Sequence, residues 1–205
     1  MHVLECTTSR RADTNSISHQ SVVQGCLEQY GTLWLGFEGP GLDRFDPVTG
    51  KATHYRHDPK NSRSLDRHWL EEIYAGRSGS LWVGTGVLSR FDRETEEFTH
   101  FAFASDYHTY ASNIVSCIYE DRSNILWIGS RNNGLIKLDM RHRRFAHYQN
   151  DPENPNSLGS NDVRSLYESR HGRMRVNLRV TFLLAPIYAV KIESVNSVRS
   201  GMFIA

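Results

Sequence analysis

The chain has 205 residues, 39% of them hydrophobic, with 24 basic residues set against 23 acidic ones. That is enough apolar surface for a core, but there is no basic stripe of the kind that grips a phosphate backbone, so nucleic acid is not an expected partner. Three cysteines, Cys6, Cys26 and Cys117, show no CxxC spacing, and an odd number cannot all pair within the chain. Cys26 and Cys117 fall in apolar runs, where a small buried hydrophobe is the expected role.

In chain order, residues 1–20 are polar, lack the apolar centre of a secretory signal, and read as a partial unit. Three segments then answer to one another: Leu33-Trp34-Leu35-Gly36, Leu81-Trp82-Val83-Gly84 and Leu126-Trp127-Ile128-Gly129, with Trp spacings of 48 and 45 residues. An apolar residue followed by Asp comes eleven residues after the first and third Trp and nine after the second: Phe45-Asp46, Leu138-Asp139 and Phe91-Asp92. Each is followed by a turn and then by His54-Tyr55, His100-Phe101 and His147-Tyr148. Asp58-Pro59 and Ser64-Leu65 return as Asp151-Pro152 and Ser157-Leu158. Upstream of the Trp positions stand Ile73-Tyr74, Ile118-Tyr119 and Leu166-Tyr167. Self-similarity at this period is the mark of a repeat architecture.

Each unit reads as four short strands. The first carries Leu-Trp-aliphatic-Gly; the second, such as 134–138, alternates apolar and polar side chains; the third is Phe145-Ala146-His147-Tyr148. Asp46-Pro47-Val48-Thr49-Gly50 is the turn between second and third. The fourth, 115–120, follows a loop rich in Asp, Pro, Asn and Ser and turns at Arg122-Ser123-Asn124. Four strands in about 45 residues is the size of one propeller blade, so the expected fold is all-β, a partial β-propeller of about three four-stranded blades and the start of a fourth. The boundaries are drawn at 21–65, 66–113 and 114–160 for three repeats, 161–176 for an incomplete fourth and 177–205 for a tail outside the repeat. Trp34, Trp82 and Trp127 are expected to fill the gaps between blades, with Gly36, Gly84 and Gly129 leaving room where strands crowd toward the central channel.

In the fourth unit Arg175 stands where Trp belongs and Asn177 where Gly belongs. A cation between blades without a partner would be costly, so residues after about Val176 are not expected to complete a blade. The apolar run 180–192 is 13 residues long and broken by Pro186, too short to span a bilayer as a helix. Its β-branched residues favour an added edge strand.

These motifs resemble the two-component regulator propeller family, whose unit reads roughly Asp-x-x-Gly-x-Leu-Trp-Ile-Gly-Thr followed by Gly-Leu-x-Arg-Phe-Asp. The matching stretches run from Arg77 to Thr85, from Glu120 to Gly129, and over Gly41-Leu42-Asp43-Arg44-Phe45-Asp46; the resemblance covers about residues 13–172. It implies an extracytoplasmic sensor propeller, joined in full-length relatives to a histidine kinase module, with carbohydrate-derived signals a common theme. This chain carries no phosphoacceptor helix and no nucleotide-binding box, and it reads as a fragment or a truncated gene product.

The repeated His54, His100 and His147 lie on separate units, so they are expected to be structural rather than metal ligands. His57, His68, His108, His142 and His171 lie in loops or at strand ends without ligand spacing. Asp46, Asp92 and Asp139 are expected to cap their turns. No Ser-His-Asp or Cys-His constellation is apparent, and neither a catalytic residue, a cofactor nor a metal is expected. Ligand-binding candidates are loop residues that differ between units: Arg131, Asn132 and Asn133, and Tyr107, His108 and Tyr110. The expected function is a ligand-sensing segment of a two-component sensor, binding a small molecule or carbohydrate, with open blade faces that favour self-association. The alternatives are a propeller enzyme resembling the streptogramin-inactivating lyases, or a protein-interaction scaffold.

Overall fold

The computed structural model of the chain describes residues 15–28, 31–101, 114–142 and 144–179. Fourteen strands and no helices occur among them. The first sheet holds β1 (Val22–Leu27), β2 (Leu33–Phe37), β3 (Gly41–Asp46) and β4 (Lys51–Tyr55). The second holds β5 (Glu72–Ala75), β6 (Leu81–Gly84), β7 (Leu88–Asp92) and β8 (Glu97–Phe101). The third holds β9 (Val115–Glu120), β10 (Ile125–Ser130), β11 (Leu135–Asp139) and β12 (Arg144–Tyr148), and β13 (Val163–Glu168) pairs with β14 (Met174–Leu178). Each sheet is an antiparallel meander in chain order, as the all-β blade reading requires.

The phase of the blade differs from the sequence reading. The strand upstream of each Trp strand, read as the fourth of its unit, is the first strand of the sheet that holds the following Trp, as Tyr74↔Trp82 and Tyr119↔Trp127 show. The reason is local. A tight turn joins these two strands, with Gly31, Gly79, Asn124 and Gly172 at one repeated position at φ 84°, 80°, 61° and 74°. Such a left-handed residue suits Gly, and Asn among the others, and it closes a hairpin between neighbours. The long connection rich in Asp, Asn and Ser crosses instead from one sheet to the next.

That connection is built alike in both places where it is described. Asp58 N–H donates to Ser64 Oγ at 2.9 Å, and Lys60 N–H donates to Asp58 Oδ1 at 2.9 Å. Asp151 N–H donates to Ser157 Oγ at 2.9 Å, and Glu153 N–H donates to Asp151 Oδ1 at 3.1 Å. These side chains supply the bonds that an irregular backbone lacks. The connection ends by burying Leu65 or Leu158 in the core of the next junction.

Most of the core lies between the sheets, while Leu35, Phe37, Phe45 and Ala52 of the first sheet pack with Ile17. Trp34 packs with Leu81, Val83, Phe91 and Phe98 of the second sheet, Trp82 with Val115, Ile118 and Ile128 of the third, and Trp127 with Val163 and Val176 of the fourth. Each Trp therefore fills the gap to the following blade. The Gly two residues on makes room for that blade's inner strand. A Cβ on Gly36 would lie 3.0 Å from Ile73 Cδ1, and one on Gly84 would lie 2.8 Å from Val115 Cγ1. One further bond recurs: Arg77 N–H donates to Glu120 Oε2 at 2.7 Å, and Arg122 N–H donates to Glu168 Oε2 at 3.3 Å, each across a blade boundary. Cys117 is buried and Cys26 partly so, both as free thiols, and burial pushes the Cys117 thiol up to about 12, as the small-hydrophobe reading implies.

In the last sheet Arg175 pairs with Tyr167 at the Trp position and Asn177 with Ser165 at the Gly position. The expected burial of a cation does not arise. Arg175 is exposed, its guanidinium 5.9 Å from the centre of the Tyr167 ring, because no described segment covers that face. The run 180–192 lies outside the described residues. No helix among the described residues is long and apolar enough to cross a membrane.

Candidate ligand-binding site

Most of the repeated polar residues are engaged in holding the blades. Asp46 Oδ1 accepts from Val48 N–H at 2.8 Å, Asp92 Oδ1 from Glu94 N–H at 2.9 Å and Asp139 Oδ1 from Arg141 N–H at 3.0 Å. All three carboxyls are held below the usual carboxylate range, Asp46 chiefly by the Thr49 side chain, Asp92 by the Thr95 and Glu94 N–H groups, and Asp139 chiefly by the His142 side chain, with the backbone donors adding to the first and third. The turn role is thus the one the structure assigns. His100 Nε2 lies 3.0 Å from the Ser64 carbonyl, and His147 Nε2 bonds the Asn133 carbonyl. Both pin the outer strand of a blade to neighbouring loops. Among the described residues no three His, Cys, Asp or Glu side chains converge as a metal site would need.

One constellation was not visible in the sequence. Asp43, fully buried on β3, lies 2.7 Å from His54 Nδ1 and accepts from Ser18 Oγ at 2.6 Å. Ser18 Oγ is itself 2.9 Å from the same imidazole nitrogen. A catalytic relay needs Ser on one nitrogen and Asp on the other. Here both crowd onto Nδ1, and Ser18 bonds Asp43 directly, so the three side chains lock residues 15–18 onto the first blade. Ala52 N–H donating to the Asn15 carbonyl at 2.7 Å completes the lock.

The sequence candidates at the second-to-third strand turn of the third blade divide. Arg131 forms an ion pair with Glu71 of the second blade, and its N–H donates to the Ile114 carbonyl at 3.0 Å. Asn133 is buried, its N–H donating to Ser130 Oγ at 2.7 Å and its Oδ1 accepting from Gln149 Nε2 at 3.0 Å. Both therefore stabilise the turn and the blade junction. Asn132 is exposed beside them. Tyr107, His108 and Tyr110 lie outside the described residues.

The same end of the strands carries a feature that spacing did not reveal. An open cavity of about 630 Å³ is lined, among the described residues, by His57, Asp66, Arg67, His68 and Trp69. All five belong to the connection between the first and second blades. Trp69 is 52% exposed and bridges to Glu38 in the facing turn of the first blade. Asp66 Oδ2 lies 3.3 Å from Arg67 Nε and accepts from Thr85 Oγ1 at 3.4 Å. A second hollow of about 340 Å³, at the opposite strand ends, has no half-exposed aromatic, and its Arg93 is already bonded to Glu28 and the Gly79 carbonyl.

One inner strand carries a perturbed titratable group. Glu72 on β5 is largely buried, which pushes its carboxyl from the ordinary 4.5 up to about 7. A raised carboxyl pKa favours folding below about 4.5 and forfeits that contribution as pH climbs through about 7. Glu72→Gln should therefore melt higher than the parent at pH 8, with the difference shrinking toward pH 4.5. Thermal denaturation across that range tests it, and a pH-independent difference would show that Glu72 is solvated.

Comparisons with known proteins place these repeats. Residues 109–132 match the family described as Two component regulator propeller. A stretch of 87 residues, 40% of the chain, is 32% identical to Histidine kinase P4 of Formosa agariphila, and spans 6% of that protein. The extracellular domain of a hybrid two component system of B. thetaiotaomicron superposes at a TM-score of 0.67 and 20% identity, covering 84% of this chain and 23% of the other. The extracellular domain of a one component system of the same organism gives 0.64 and 18%, covering 82% and 22%. At those identities the likeness is one of fold, and the chain spans less than a quarter of each of these relatives. The sequence repeat and the blade geometry agree: residues 109–132 match a two-component regulator propeller repeat, and the described residues fold as the blades of a partial β-propeller.

Proposed function

We propose that the chain is a ligand-recognising segment of an extracytoplasmic sensor propeller in a two-component system, its phosphotransfer supplied by a histidine kinase module in the full-length protein. What carries this reading is the division of labour among its residues. The repeated Trp, Gly, Asp and His side chains hold blades together, whereas the cavity sits where the connections depart from the repeat. Placing recognition on variable loops over a rigid scaffold is the usual arrangement for binding modules. The family match and the histidine kinase relative support the two-component setting, and the extracellular neighbours support the location. The alternative of a propeller enzyme has less behind it, because Ser18, His54 and Asp43 are arranged as a lock.

The test uses the purified chain with a panel of mono- and oligosaccharides and with magnesium ATP. At least one saccharide should raise the melting temperature by roughly 3–6 °C at about ten times its Kd. No saccharide should be cleaved and no phosphate incorporated. Product formation proportional to chain concentration would overturn the sensor reading in favour of an enzyme.

A further inference from the structure

The cavity between the first two blades has a structural cause. The second blade's turn between β6 and β7 is two residues shorter than its counterparts, which is why Phe91 follows Trp82 by nine residues rather than eleven. Gly86 stands in that short turn, and the Arg67 side chain lies directly across it. A Cβ on Gly86 would sit 3.0 Å from Arg67 Cδ, 3.1 Å from Cζ, and nearer still to Nε. The guanidinium is thus held in place by the shape of the turn and by Asp66, before any ligand arrives.

The other lining residues also differ from their counterparts at the next described connection. There Asn150 Nδ2 donates to the Leu158 carbonyl, and Asn161 Oδ1 accepts from Asn150 N–H at 2.7 Å, so the loop closes on itself. Between the first two blades the equivalent positions hold His57 and His68, whose rings meet edge to face at 5.2 Å. His57 Nδ1 is bonded to the Leu65 carbonyl at 2.9 Å, which places its proton there. Trp69 replaces Asp162 and stands 52% exposed. An indole face, a positioned guanidinium and two imidazoles in one open cavity match a particular ligand shape. The indole takes the apolar face of a ring, and the guanidinium takes a carboxylate in a planar fork.

We propose that this cavity binds a carboxylate borne on a ring with an apolar face, with Arg67 holding the carboxylate and Trp69 the ring. The assignment rests on the sensor reading above and adds the ligand chemistry. Sugar acids and aromatic acids share this chemistry, and calorimetric titration of the full chain with D-glucuronate, benzoate and neutral D-glucose separates them. One or both carboxylates should bind saturably at millimolar concentration, glucuronate alone identifying a sugar acid and benzoate alone an aromatic acid. D-glucose should bind more weakly than whichever carboxylate saturates. Arg67→Gln should weaken carboxylate binding about tenfold to a hundredfold. Trp69→Ala should weaken it about tenfold with no change in melting temperature, since the ring is half exposed. Gly86→Ala, which displaces Arg67 without removing its charge, should weaken binding as well. The proposal is overturned if neither carboxylate saturates, if glucose binds as tightly as the carboxylate that does, or if Trp69→Ala retains the parental affinity. Loss of carboxylate binding with a saccharide-induced rise in melting temperature intact would overturn this assignment and leave the sensor reading standing.

Discussion

Trp34→Ala is expected to lower the unfolding free energy by about 3–5 kcal/mol, at the upper end for a single substitution in this chain. Trp34 is fully buried. Its ring lies 5.0 Å from Phe91 in an edge contact and 5.6 Å from Tyr55, with Phe91 and Tyr55 themselves 5.0 Å apart. Removing the indole opens a cavity at the boundary of two blades, where each wall is anchored to a different sheet and neither can collapse inward. The lost aromatic contacts add to the lost burial. Trp34→Phe should recover a good part of the loss, because the site then keeps a ring against Phe91. Urea denaturation followed by circular dichroism gives the number, and a loss below about 1 kcal/mol would mean that the blades are not joined through this ring.

Gly129→Ala is expected to cost about 2–3 kcal/mol, through crowding rather than a void. An added Cβ would sit 2.5 Å from Val163 Cγ1 and 3.0 Å from Val163 Cβ, and closer still to Cys117 Sγ. Val163 is fully buried on the inner strand of the next blade, so neither it nor Cys117 can swing aside without moving a strand. Gly25→Ala is the control. There the nearest atoms to a new Cβ are 3.9 Å away, an ordinary contact, and the change should stay within about 0.5 kcal/mol. If both substitutions cost the same, inter-blade crowding at Gly129 would not be the cause.

How much could be read without coordinates follows from how local each feature is. The Asp46 turn and the Asp58 to Ser64 connection are made by bonds within six residues, so their motifs show directly in the sequence. The blade phase is not legible from spacing alone, because two strands near in sequence and two strands near in space look alike there. The turn position shared by Gly31, Gly79, Asn124 and Gly172 is the signal that could have settled it. Arg131 and Asn133 drew attention as variable polar loop residues, and the structure spends both on bonds to other elements.

By itself the sequence determined the repeat, its strands, the buried Trp residues and the small Gly residues, because each blade meets its neighbour through the same few side chains. Only the tertiary structure decided the rest. Ser18, Asp43 and His54 meet across as many as 36 residues, and Arg67 meets Gly86 only because a short turn in one blade faces a connection from another. Such contacts depend on how two sheets are set beside each other, a geometry that strand periodicity within each sheet does not contain.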